Sequence, residues 1–277
     1  QSLYSIMKSI FQLLLFFLIH SYLFAQTSPF WGNLKRGEYE VGFKDTLIIK
    51  NRELYKFRNY EGGKPFFIKI WYPAKSDQLK PSIKYKDYQI LPENEKVNKI
   101  SKALSKENQK ALKHYGIRED LDKMKTLFYG RKKRLLYDEI LNTDVSAKKN
   151  LIPTSGKFPT IYYHHGGGGS DDENSVMCEY LASHGFVVIS SNYHWPYKKW
   201  ILNSTYDNSY PSDEFNNETD VLFVFNSMSQ LPMVDTSLSI YMGHSWGAYI
   251  GFYLNGRENN LFDLYLLYDT TVERYEL

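Results

Sequence analysis

Short apolar strands and helical segments alternate through residues 157–277, and this order restricts the fold more than any other feature of the sequence. Residues 186–190 form a continuous apolar, β-branched run, which is typical of a strand buried on both faces of a parallel sheet. Further strand patterns cover residues 160–164, 239–242 and 261–268, and helical patterns separate them. Successive strand–helix–strand units predict a doubly wound, mostly parallel α/β sheet.

Residues 76–150 have a different character, with 18 Lys and Arg against 11 Asp and Glu. Val97, Ile100 and Leu104 recur at helical spacing, and a second set of apolar residues does so at residues 121–128. We interpret this segment as a helical insertion outside the main sheet and a candidate lid. Its basic face would suit peripheral contact with an anionic lipid surface. The alternative is a solvated face on helices that cap the core.

The N-terminal segment has the pattern of an export signal. Met7 and Lys8 precede an apolar run over residues 10–19, and Ala25 follows as a small residue. The run is shorter than the about 20 residues that cross a bilayer, although an uncleaved anchor is the alternative. We therefore expect a signal peptide over residues 7–25, a mature domain over residues 26–277, and a periplasmic or extracellular location.

Composition excludes two classes of protein. The 34 Lys and Arg against 31 Asp and Glu leave a net charge of +3, which is too small to favour a nucleic-acid partner. Cys178 is the sole cysteine, so the chain has no internal disulfide framework and no Cys-based zinc site. The sequence leaves the oligomeric state open.

The motif Gly243-His244-Ser245-Trp246-Gly247 carries the clearest chemical signal. It fits G-x-S-x-G, with an apolar strand running into Gly243 and a helical pattern starting after Ser245. In a nucleophile elbow the strand-to-helix turn is tight, so small residues two before and two after the serine avoid clashes. The serine oxygen then stands exposed near a helix N-terminus, whose dipole favours developing negative charge. The alternative is a tight turn without catalysis.

A glycine run over residues 166–169 follows the strand at residues 160–164. In hydrolases with an elbow, the corresponding loop brings a backbone N–H to the oxyanion hole, and glycine permits close approach to the substrate. Such a loop can also cradle phosphate, but neither common nucleotide-binding pattern follows a strand here.

Ser170 and Glu173 match a capping box and predict that a helix starts at this point.

Four segments together resemble the platelet-activating-factor acetylhydrolase-like branch of the α/β-hydrolase superfamily, which borders the dienelactone-hydrolase-like esterases. They occur in the same order and at similar spacing, at residues 70–74, 158–166, 181–188 and 243–248. The resemblance spans roughly residues 37–75 and 157–270, and no motif covers the insertion. It implies an α/β-hydrolase fold that acts on a small-molecule or lipid ester, with no metal and no organic cofactor.

The resemblance also implies roles for individual residues. Ser245 would be the nucleophile, and the backbone N–H groups of Gly167 and Trp246 would form the oxyanion hole. In this branch the catalytic acid ends the strand after the nucleophile helix, and here that position is Asp269. Many other α/β-hydrolases place the acid one strand later, and a strand-terminal turn aspartate is the alternative interpretation of Asp269.

The catalytic base is the departure from the family pattern, since no histidine follows Ser245 in this chain. The triad order is Ser, then Asp or Glu, then His, so we expect the base beyond residue 277. We therefore expect a C-terminally incomplete domain that lacks its last strands and helix and is itself inactive. His194 is the fallback candidate for the base.

We expect the full-length protein to be a secreted serine esterase or lipase-like hydrolase. Two alternatives stay open: a peptidase or amide hydrolase on the same fold, and a non-catalytic binding protein that kept the elbow.

Overall fold

The computed structural model describes residues 28–57, 60–115, 129–167, 169–192, 213–257 and 261–269. The expected signal peptide, the second apolar set at residues 121–128 and His194 lie outside these described residues. Within them, no helix combines the length and apolar character needed to cross a membrane.

One mixed sheet of seven strands organises the described part of the chain. The strands are β1 (Glu40–Phe57), β2 (Tyr60–Ala74), β3 (Ala147–Lys149), β4 (Phe158–His164), β5 (Val187–Ser191), β6 (Val234–His244) and β7 (Leu264–Tyr268). Their spatial order is β3-β1-β2-β5-β4-β6-β7. β2 is antiparallel to both β1 and β5, whereas β5, β4, β6 and β7 run parallel to one another. The predicted doubly wound, mostly parallel sheet is confirmed.

Helices cover both faces of this sheet, and side chains alternate between the faces along each strand. In β4, Ile161 and Tyr163 pack in the cluster that holds Cys178 and Ala182, whereas Tyr162 packs on the opposite face. The helices are α1 (Tyr85–Tyr88), α2 (Asn98–Tyr115), α3 (Tyr129–Asn142), α4 (Ser175–Ser183), α5 (Asp213–Met228) and α6 (Trp246–Asn255). Cys178 and Ala182 belong to α4, and the opposite face is covered by α5 and α6.

Residues 76–150 contribute helices α1 to α3 and also the short edge strand β3, which pairs in parallel with β1. The expectation that the whole segment lies outside the main sheet was therefore wrong for residues 147–149, which extend the sheet at its edge. Ile100 and Leu104 of α2 are buried with Tyr55 and Phe67 of the β1–β2 hairpin. The lysines of α2 at positions 99, 102 and 106 are exposed. The apolar side of α2 therefore faces the hairpin, and its basic side faces solvent.

A buried carboxylate connects this insertion to α4. Glu179, which is 1% exposed, accepts hydrogen bonds from Trp31 Nε1 at 2.8 Å, Tyr88 Oη at 2.7 Å and Ser146 N at 3.0 Å. Burial raises the pKa of Glu179 to about 7, although hydrogen bonds from Tyr88, Trp31 and Ser146 oppose the shift. Three separate segments thus meet on one side chain of α4.

The helix after the glycine run begins later than the sequence predicts. α4 starts at Ser175 with Asn174 as its N-cap, so the capping-box interpretation of Ser170 and Glu173 was wrong. Ser170 instead belongs to a turn, in which Glu173 N donates to Ser170 O at 2.9 Å and Ser170 Oγ donates to Asp172 at 2.7 Å. The Glu173 carboxylate is left for partners elsewhere in the fold.

Candidate active site

The three predicted site segments follow three neighbouring parallel strands. The glycine run follows β4, Ser245 follows β6 and Asp269 follows β7. The strand ends are in register, with His164 opposite Gly243 and His244 opposite Tyr268. The carboxyl ends of parallel strands lie at one edge of a sheet, which is where ligands bind in open α/β folds. The topology therefore brings the three segments to the same edge.

Ser245 occupies the turn between β6 and α6 in a backbone conformation that L-residues rarely adopt. Its φ is 51° and its ψ is −110°, and its N–H donates to Tyr268 O of β7 at 3.0 Å. A non-glycine residue in such a sparsely populated region costs on the order of 1–3 kcal/mol, and residues of this kind cluster at active sites and ligand-binding segments. The strained residue is the one that the motif singles out.

The two glycines of the motif are required by close packing around this turn. A β-carbon on Gly243 would overlap the backbone of Gly247. A β-carbon on Gly247 would overlap the carbonyl oxygen of His164 at the end of β4. The small residues thus allow α6 to start directly against the ends of β6 and β4.

Helix α6 starts immediately after the serine, and Tyr249 N donates to Ser245 O at 3.1 Å as the first helical bond. The amide of Trp246 therefore lies at the first position of the helix, where backbone N–H groups have no intrahelical acceptor. The positive end of the helix dipole lies at the same place. This is the geometry that favours negative charge beside Ser245.

The glycine run lies directly against the elbow. A β-carbon on Gly166 would lie 3.0 Å from His244 Nδ1 and 3.3 Å from Ser245 Cβ. The run turns here, because Gly169 N donates to Gly166 O at 3.0 Å, and Gly167 lies inside that turn. Gly168 is outside the described residues. The absence of a side chain at position 166 allows the two segments to approach this closely.

Glu173 is a site residue that sequence reasoning missed. Its Oε1 accepts from Tyr163 Oη at 2.6 Å, Gly166 N at 2.9 Å and His244 Nδ1 at 2.9 Å. Burial raises the pKa of this carboxyl, but the hydrogen bonds from His244, Tyr163 and Gly166 and the nearby His165 outweigh it, so the pKa is lowered overall. The capping pattern concealed this role, and no local sequence signal distinguishes the two.

His244 lies between two carboxylates. Its Nδ1 contacts Glu173, its Nε2 lies 3.4 Å from Asp269 Oδ2, and its ring stacks on Tyr268 with centroids 5.3 Å apart. The hydrogen bond to Glu173 is the main cause that raises the pKa of His244, with burial opposing and Asp269 adding to it. Asp269 itself has φ 53° and a side chain that is 81% exposed.

Beneath the glycine run, a buried ion pair fixes the turn at residues 170–172. Lys69 Nζ of β2 lies 2.5 Å from Asp171 Oδ1, and both side chains are almost fully buried. Burial is the main cause that raises the pKa of the adjacent Asp172, and Lys69 opposes it. Gln89 donates to Asp172, and Asn108 of α2 donates to Asp171 at 3.4 Å. The insertion is therefore connected to the segment that carries the glycine run.

Three further histidines, His164, His165 and His184, contact backbone oxygens. His164 Nδ1 lies 2.9 Å from His165 O, and His165 Nδ1 lies 2.7 Å from Gly166 O. His184 ends α4, with Nδ1 2.8 Å from Tyr180 O. In the described part of the chain, no group of three His, Cys, Asp or Glu side chains is arranged to hold a metal ion.

A glycine-supported, strained serine between a parallel strand and a helix places the protein in the α/β-hydrolase class. The family model for platelet-activating factor acetylhydrolase, isoform II, matches residues 33–196, which is more than half of the chain. The chain belongs to this family, and the resemblance noted in the sequence is confirmed.

The solved structures that are similar to this chain are distant from it in sequence. Ferulic acid esterase from Streptomyces cinnamoneus has a TM-score of 0.54 and 15% identity, with 83% of this chain and 59% of that chain covered. Esterase Est22 has a TM-score of 0.38 and 13% identity, with 80% and 42% covered. The chain thus spans less than two thirds of either structure. No curated protein sequence matches it significantly.

Proposed function

We propose that this protein is a serine esterase in which Ser245 is the nucleophile. The observation that carries the proposal is the strained backbone of Ser245 at the β6–α6 turn, with Gly166 packed against it. Packing that maintains strain at a serine next to a glycine loop and a helix N-terminus serves acyl transfer better than it serves stability.

In the proposed reaction, Ser245 Oγ attacks the ester carbonyl carbon while its proton passes to a general base. The N–H groups of Gly167 and Trp246 stabilise the oxyanion of the tetrahedral intermediate. Gly167 is favoured over Gly166 because the N–H of Gly166 already donates to Glu173. The alcohol then leaves with a proton, and water hydrolyses the acyl-enzyme to release the acid.

Asp269 is the proposed carboxylate of the triad. It follows β7 at the same sheet edge as Ser245, and its exposed carboxylate is accessible to an imidazole that would accept the serine proton. We assign no described histidine to the role of base. When any one member of such a triad is removed, the enzyme still accelerates the reaction by ~10³–10⁴-fold over the uncatalysed reaction in water.

We also propose that the protein is exported to the periplasm or the cell exterior, and that its basic insertion makes peripheral contact with lipid. The exposed lysines of α2 support the second point, since they face away from the hairpin that α2 packs on.

A fluorophosphonate probe tests the proposal in the full-length gene product, because it forms a covalent bond only with an activated serine. Ser245→Ala should lose all labelling, whereas Ser237→Ala, an exposed serine in the same strand β6, should keep it. Comparing the hydrolysis of the ester p-nitrophenyl acetate with that of the amide p-nitroacetanilide would separate esterase from amidase activity. Equal labelling of Ser245→Ala and the unmodified protein would contradict the assignment.

A further inference from the structure

The imidazole of His244 has a carboxylate oxygen at each of its ring nitrogens. Glu173 Oε1 lies 2.9 Å from Nδ1, and Asp269 Oδ2 lies 3.4 Å from Nε2. A neutral imidazole carries one N–H, so one of the two nitrogens would direct its lone pair at a carboxylate. The imidazolium carries two N–H groups and satisfies both contacts.

The two carboxylates come from opposite sides of the elbow. Glu173 lies in the segment between the glycine run and α4, and Asp269 lies directly after β7. His244 is the last residue of β6 and directly precedes Ser245. The three side chains therefore connect the three segments that carry the proposed nucleophile, oxyanion loop and triad acid.

We propose that protonated His244 is a positioning residue, which holds the glycine loop through Glu173 and the proposed acid Asp269 on the other side of the elbow. This inference rests on the proposed function of Ser245. Glu173 transmits the restraint because the oxygen that accepts from His244 also accepts from Gly166 N. With the N–H of Gly166 fixed in that direction, the peptide of Gly167 is oriented next to Ser245.

Several titratable groups surround this arrangement. Tyr163 Oη donates to Glu173, His165 lies close enough to Glu173 to lower its pKa, and the Tyr268 ring stacks on His244. Burial raises the pKa of Tyr268 to about 12, and Tyr163 is shifted upward as well, so both phenols stay neutral near pH 7. Among the residues that the structure describes, the carboxylates in contact with His244 are those of Glu173 and Asp269.

The pH dependence follows from the raised pKa of His244. The restraint is complete below the ordinary histidine pKa and weakens as the pH rises through the raised value. Asp269 should be released first, because its contact is the longer one and its side chain is mostly exposed. Glu173 should keep its contact with Nδ1, since the neutral ring retains one N–H.

The test is an NMR titration of the full 277-residue chain with isotope-labelled histidine, with His244→Asn used to assign the signal. Glu173→Gln should lower the pKa of His244 by at least one unit, a tenfold loss of proton affinity. Asp269→Asn should lower it by less. Asp263→Asn, a carboxylate of the same strand–loop region that binds Ser239, should leave it unchanged.

Fluorophosphonate labelling of the same variants, made in the full-length gene product, gives the second readout. Glu173→Gln should slow labelling of Ser245 at least tenfold, and the labelling rate of the unmodified protein should change with pH along the His244 titration. The inference would be overturned if the folded Glu173→Gln variant kept the His244 pKa of the unmodified protein. It would also be overturned if this variant shifted the His244 pKa but was labelled at the normal rate. An absence of labelling in the unmodified full-length gene product would instead count against the role of Ser245, and the titration alone would then decide whether His244 bridges the carboxylates.

Discussion

Replacement of Ser245 by glycine should stabilise the protein while it removes the proposed nucleophile. Ser245 has φ 51° and ψ −110°, a conformation that costs a non-glycine residue on the order of 1–3 kcal/mol. Glycine adopts it without steric cost but loses about 0.5–1 kcal/mol more conformational entropy on folding. The balance is a gain of about 1 kcal/mol, or about 2–4 °C in Tm for a domain of this size.

Ser245→Ala is the matched control, because alanine removes the hydroxyl but keeps the β-carbon that causes the strain. Urea unfolding and calorimetry should place Ser245→Gly above Ser245→Ala by about 1 kcal/mol, with Ser245→Ala close to the unmodified protein. Neither variant should react with a fluorophosphonate. If Ser245→Gly were no more stable than Ser245→Ala, the elbow would not be strained and the main support for a catalytic serine would fail.

Three other predictions concern stability. Glu179→Gln should remove a pH dependence of ~3 kcal/mol in the free energy of unfolding, because the buried carboxyl has a pKa of about 7, whereas in the unfolded chain it loses its proton near pH 4.5. As the pH rises between these values, the unmodified protein should lose stability relative to the variant, which urea unfolding at several pH values would measure. Gly247→Ala should destabilise by several kcal/mol and abolish labelling, because its β-carbon would overlap His164 O; normal labelling would refute this. Lys69→Met should cost about 3–5 kcal/mol by leaving Asp171 buried without its cation, and Lys69→Met/Asp171→Asn should recover part of the loss.

The elbow illustrates what local sequence can predict. The strand before Gly243, the helix after Ser245 and the small residues around the serine all lie within one short segment, and each has a steric requirement that can be read from neighbouring positions. The same holds for the order of strands and helices, because hydrophobic periodicity along the chain determines which faces must be buried. The parallel part of the sheet was predictable for this reason.

Glu173 shows where that reasoning fails. Its position four residues after the glycine run matches a helix-capping pattern, and the sequence alone supports that interpretation as well as any other. In the fold, Tyr163, Gly166 and His244 all donate to it, and α4 begins two residues later. A capping interaction is worth about 1 kcal/mol, which three hydrogen bonds to one partly buried charge can exceed.

The order of strands and helices and the position of the strained serine could be predicted from the amino-acid sequence, because each depends on residues close together in the chain. The family could be recognised because four short segments of this kind occur in the expected order. Which charges meet depends instead on the fold, which brings Glu173 and Asp269 to His244, and Lys69 to Asp171 across 102 positions of sequence. Such pairs form when packing removes water from around them, and the strength of a charge interaction then depends on distance and burial. Neither quantity is encoded in local sequence.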